Sequence, residues 1–146
     1  MQVQELHIDK SEELFKESLD LLSGLIATSS FSKEEKLTAD LVQKFFKGKE
    51  ILTQRYLNNV WVKNKYFTES KPTLLLNSHH DTVKPNKGYT LDPFEPLQQD
   101  GKLFGLGSND AGGALVSLMA AFLNFYENKN LNYNIIFIFN KITYKK

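Results

Sequence analysis

The stretch PTLLLNSHHDTVKP, residues 72–85, runs three leucines straight into two histidines and an aspartate. A short apolar run behind a proline reads as a strand buried on both faces, the pattern of sheets covered by helices. Ionisable side chains at the carboxyl end of such a strand stand where open α/β sheets collect their ligand sites. Strand alternation puts His79 and Asp81 on one side and His80 on the other. A ligating imidazole usually donates its second N–H to a carboxylate, and His79 with Asp81 can form that pair. Taken alone, the triplet is better read as a polar turn closed by local hydrogen bonds.

Working outward, the chain alternates helical and strand-like patterns. Apolar residues at helical spacing predict a helix over 11–27, with Ser11 as its N-cap and Leu14, Phe15, Ser18, Leu21, Leu22, Leu25 and Ile26 on one face. Ser32 and Glu35 have the capping-box spacing and predict a second helix over 33–47. A third is predicted over 111–127. Strands are predicted near 51–56, 60–66, 73–78 and 134–139, with Leu57, Asn58 and Asn59 as a turn. Residues 84–107 hold three of the four prolines and read as a long irregular loop. The fold class expected is α/β, with helices flanking a mixed, mostly parallel sheet.

The bulk numbers fit one domain of 146 residues. A net charge of +1 gives no electrostatic reason to expect nucleic acid or an anionic membrane as a partner. No apolar run reaches the ~20 residues of a membrane-spanning helix, and the N-terminus lacks a signal-peptide pattern. With no cysteine, thiolate metal sites and disulfides are excluded, and a cytoplasmic location is the expectation.

A second cluster, DGKLFGLGSNDAGG at 100–113, sets five glycines around Asp110 just ahead of the third helix. Glycine lets backbone approach a ligand closely, while an aspartate before a helix is most often only a cap. The run Gly105-Leu106-Gly107 does not complete a dinucleotide fingerprint, because Asp110 stands at its last position and no apolar strand precedes it. Walker and serine-hydrolase elbow patterns are absent.

Taken together, the H-x-D of SHHDTVKP and the later DPFEPLQQDGKLFGLGSNDAGGALVSLMAA resemble the M20 metallopeptidase family, acetylornithine deacetylase-like members most of all. The resemblance runs from the SFSKEEKLTADLV helix to the NIIFIF strand. It implies a zinc-dependent hydrolase of the amide bond in N-acyl amino acids or small peptides. By this resemblance His79 is a metal ligand, Asp81 the catalytic-site carboxylate that orients it, and Asp110 the metal ligand that bridges two zinc ions, for which cobalt can substitute. It implies no role for His80, and His7 reads as a surface residue. Complete members of the family are expected to be homodimers. Many carry arginine where this chain has Leu106.

The chain then departs from the pattern. Family members carry a Glu-Glu pair after the strand matching YNIIFIF, the first serving as general base and the second as a zinc ligand. Here NKITYKK follows, and no acidic residue comes after Glu127. Residues 1–146 are therefore expected to be the N-terminal part of the catalytic domain. The lid or dimerisation domain and the rest of the catalytic domain would be missing through a frameshift, an early stop or a misplaced gene boundary. On this view metal affinity is poor, the chain alone is inactive, and the IIFIF strand presents an uncovered apolar edge. Two other readings stand beside it: a non-catalytic metal- or partner-binding α/β module, and a plain α/β domain whose histidines and aspartates are turn residues.

Overall fold

The computed structural model describes residues 9–32 and 34–140; His7 and the tail after Asn140 lie outside them. Among the described residues the order is α1 (Lys10–Ala27), α2 (Lys36–Gly48), β1 (Gln54–Tyr56), β2 (Asn59–Lys63), β3 (Thr73–His79), β4 (Leu97–Gln99), β5 (Lys102–Phe104), α3 (Gly113–Phe125) and β6 (Asn134–Asn140). A five-residue turn, Ser108–Gly112, leads into α3. The main sheet has the order β1-β2-β6-β3.

The sheet is mixed, as expected, but antiparallel pairings outnumber parallel ones. β1–β2 and β2–β6 are antiparallel, and only β3–β6 is parallel. The short turn between β1 and β2 permits nothing else, whereas β3 reaches β6 through a long crossover that includes α3. In register, Leu76 and Ser78 of β3 share a face with Phe137 and Phe139 of β6 and with Val60 and Val62 of β2. That face is the core, closed by α1, α2 and α3 through Leu22, Ile26, Val42, Phe46, Met119 and Phe122. Phe46, Phe122, Phe137 and Phe139 form a chain of ring contacts through its centre.

The helices do not flank the sheet on both faces, because the opposite face carries no helix among the described residues. Leu75 is 55% exposed there, beside half-buried Ile136, Ile138 and Trp61. β3 is therefore not buried on both faces. Its three leucines alternate about an edge strand, one partly covered and two open. β6 is the inner strand, paired on both sides, so the expected uncovered edge of IIFIF is not found. Apolar side chains along an open edge, the aggregation liability, belong to β3 instead.

Local boundaries moved for identifiable reasons. The N-cap of α1 is Asp9, not Ser11; its carboxylate accepts from the Ser11 N–H at 3.3 Å. Phe15 is exposed, on the rim of a groove between α1 and α3. α2 begins at Lys36 with Glu35, not Ser32, at its N-cap. Glu35 is fully buried and its carboxylate accepts from Asn58 Nδ2 at 3.0 Å, which ties α2 to the β1–β2 turn. β1 starts late because Ile51 N donates to Phe46 O and closes α2. β2 stops at Lys63 because Asn64 turns its side-chain oxygen to Ile135 N, at 2.8 Å. The loop expected over 84–107 contains the β4–β5 hairpin, turned by Asp100 and Gly101 at φ 51° and 72°.

Candidate metal centre

His79 ends β3, and Asp81 follows two residues later on the same side. The ring Nδ1 of His79 lies 3.1 Å from the Asp81 carbonyl oxygen and 3.3 Å from its carboxylate Oδ1. Both are acceptors, so a ring that met an ion through Nε2 would carry its hydrogen on Nδ1. Nε2 lies 3.2 Å from Asp110 Oδ1, a third acceptor, within hydrogen-bond distance. A hydrogen on Nε2 or a bound cation joins the two. The separation suits an imidazole nitrogen and a carboxylate oxygen that bind one zinc-like ion at ~2.0–2.2 Å each.

Asp110 reaches this place from 31 residues away. It sits in the Ser108–Gly112 turn with φ −118° and ψ 98°, outside helical geometry. It is not the cap of α3, whose N-cap is Gly112 with no side-chain cap bond. Its side chain is 91% exposed, so it is open to further coordination. Close packing shapes the turn. Gly107 has φ 78°, and a Cβ on Gly112 would stand 2.5 Å from Gly107 O and from Leu22 Cδ1. Gly112→Ala should destabilise the fold by about 1–3 kcal/mol through overpacking, measured by chemical denaturation, and should displace Asp110; an unchanged midpoint would refute that account of the turn.

His79, Asp81 and Asp110 thus come together as expected, and His80 does not join them. His80 is 6% exposed on the other side of the strand, with Nδ1 2.8 Å from Thr38 Oγ1 and Nε2 3.0 Å from Asn58 O. Burial holds it below the ordinary imidazole range, although the Asn58 carbonyl and the Glu35 carboxylate pull upward. It is a neutral core histidine. Among the described residues no group of three His, Cys, Asp or Glu side chains is placed to hold an ion, so the donor set fits two ligands of a site and no more.

A cavity of about 650 Å³ opens beside the pair, lined also by Phe31, Thr82, Lys84, Tyr89 and Asn109. Lys84 Nζ lies 5.9 Å from the Phe31 ring centre on this wall. None of these residues was singled out from the sequence. They come from three separate segments, and no spacing marks them.

The described residues thus form an α/β layer with a histidine at a strand end facing an aspartate at a helix entrance. Residues 75–141 match the model of peptidase family M20/M25/M40. The chain is 32% identical over 110 residues to succinyl-diaminopimelate desuccinylase of Xanthomonas oryzae pv. oryzae, covering 70% of this chain and 28% of that protein. It is 23% identical over 108 residues to the Nautilia profundicola enzyme of the same name, covering 73% and 29%. Among solved structures, it is similar to an M20 family metallo-carboxypeptidase from Sulfolobus solfataricus, with TM-score 0.70, 16% identity, and 85% and 30% of the two chains covered. A Bacillus subtilis protein described as a dinuclear metal binding peptidase of the M20 family gives TM-score 0.65 at 15% identity over 91% and 36%. The family match is confined to residues 75–141, and the fold of the described residues is similar to that of M20 peptidases. The chain spans under a third of the length of these curated relatives. No described helix is long and apolar enough to cross a membrane.

Proposed function

We propose that residues 1–146 form the N-terminal part of the catalytic domain of a metal-dependent hydrolase that cleaves amide bonds in N-acyl amino acids or small peptides. The observation that carries this reading is the 3.2 Å approach of His79 Nε2 to Asp110 Oδ1, with His79 Nδ1 held by Asp81. His79 and Asp110 would hold the metal, zinc or cobalt, with Asp110 shared between two ions. When bound, such a pair activates water and polarises the scissile carbonyl. Asp81, against Nδ1, orients the ring and would hold its hydrogen there when Nε2 meets an ion. The adjoining cavity holds the acyl group or side chain near that pair. The desuccinylase names of the curated relatives favour an N-succinyl or similar N-acyl amino acid over N-acetylornithine in particular. A cytoplasmic homodimer whose other domains supply the lid and the remaining ligands completes the proposal.

The 146 residues alone should not turn over substrate. Two donors leave each ion short of the three protein ligands usual for catalytic zinc, and a general base typically contributes ~10²–10⁴-fold. The test is an assay on N-succinyl-diaminopimelate, N-acetylornithine and dipeptides with added zinc or cobalt, alongside a metal-binding isotherm. Weak metal binding without turnover is the expected result. Turnover abolished by Asp110→Ala would show that these residues already contain the catalytic machinery. Absence of metal binding would sink the metal reading.

A further inference from the structure

His80 was expected to have no role, yet both of its ring nitrogens and its backbone N–H are engaged. Asn58 O can only accept, so His80 Nε2 carries the ring hydrogen and donates to it at 3.0 Å. The neutral ring then accepts at Nδ1, and the Thr38 hydroxyl donates there at 2.8 Å. The same hydroxyl lies 3.0 Å from Glu35 O, which also accepts from Ala39 N. The Asn58 side chain is itself anchored: its Nδ2 donates to buried Glu35, and its Oδ1 accepts from Arg55 at 3.2 Å. The backbone N–H of His80 donates to Asn140 O at 3.1 Å. One side chain therefore fastens the end of β3 to the first turn of α2 and to the β1–β2 turn, while its backbone fastens it to β6.

Alternation along the strand makes this consequential. A residue pinned on the buried side fixes the rotation of the backbone about that point, and so fixes where the residues before and after it point. Those residues are His79 and Asp81. We infer that His80, through Thr38 and Asn58, is a positioning residue for the metal pair: it sets the orientation of His79 toward Asp110 without offering a donor to the ion. The inference rests on the metal reading above only for its functional meaning, since the geometry itself can be observed without metal.

The experiment has two arms on the 146-residue chain and its Thr38→Val, Thr38→Ser and His80→Phe variants, each held below its melting transition by far-UV circular dichroism. In the metal-free arm, imidazole ¹⁵N–¹H spectra report the tautomers. The unmodified chain should show His80 with its hydrogen on Nε2, and His79 nitrogens that report Asp81 beside Nδ1 and Asp110 beside Nε2. Thr38→Val and His80→Phe should shift both His79 nitrogen resonances, and Thr38→Ser should restore them. In the second arm, Co²⁺ is titrated and its visible spectrum followed. Thr38→Val and His80→Phe should weaken binding by roughly tenfold, the lower range for groups that orient metal ligands, with Thr38→Ser close to the unmodified chain. Folded variants with unchanged His79 nitrogens would overturn the inference, as would unchanged Co²⁺ affinity. If the unmodified chain binds no Co²⁺, the metal reading fails, and the metal-free arm still decides the role of His80.

Discussion

Phe137→Ala should lower the free energy of unfolding by about 3–5 kcal/mol, the usual cost of truncating a buried phenylalanine. Phe137 is fully buried on the inner strand β6, with its ring 4.2 Å from Phe139 and 6.2 Å from Phe122, centroid to centroid. β6 is held on both sides by β2 and β3, so the backbone cannot collapse into the void, and the cavity term adds to the lost transfer energy. Leu75 is the internal control. It belongs to the same sheet but is more than half exposed, so Leu75→Ala should cost well under half as much. Urea denaturation of both variants gives the comparison, and equal losses would mean that the core face has been assigned to the wrong side of the sheet.

The second large effect concerns the metal pair. His79→Ala should abolish specific Zn²⁺ binding, because it leaves Asp110 as a lone exposed carboxylate. Asp81→Asn should leave the ligand in place but weaken binding by about 10–100-fold. The amide keeps an acceptor but loses the charge near Nδ1, at present 3.3 Å from the carboxylate. Calorimetric titration separates the two outcomes. Residual high-affinity binding in His79→Ala would place the ion elsewhere.

Legibility in the sequence followed the range of the interaction that decides each feature. α1, α3 and β6 were readable because their apolar patterns are long and self-contained. The LLL of β3 was misread because a run of leucines fits a strand covered on both faces equally well. Only its position at the end of the strand order leaves Leu74 and Leu75 exposed. The β4–β5 hairpin was missed although Asp100-Gly101 is a strong turn signal; strands of three residues carry too little alternation to register. Glu35 looked like half of a capping box, but it stands at the N-cap of α2 and its carboxylate accepts from Asn58 on another element. At the site, alternation gave the sides of His79, His80 and Asp81 correctly. The approach of Asp110 to His79 came from family resemblance, since no local rule spans 31 residues. Thr38 as a partner of His80 is 42 residues distant, and nothing in the sequence marks it.

The parallel pairing of β3 with β6 also bears on the order of events in folding. Thr73 and Asn134, which open this ladder, are 61 residues apart, with the glycine-rich turn and α3 between them. Such a contact forms only after a large loop has closed, and long-range parallel pairing is intrinsically slow. His79 rides on one side of that closure, and Asp110 lies within the loop that must close. The two donors therefore do not meet in the unfolded chain. An ion that needs both binds only the folded form, so its binding energy adds to the stability of the fold. With no helix on one sheet face among the described residues, a bound ion would then act as a late latch on the crossover.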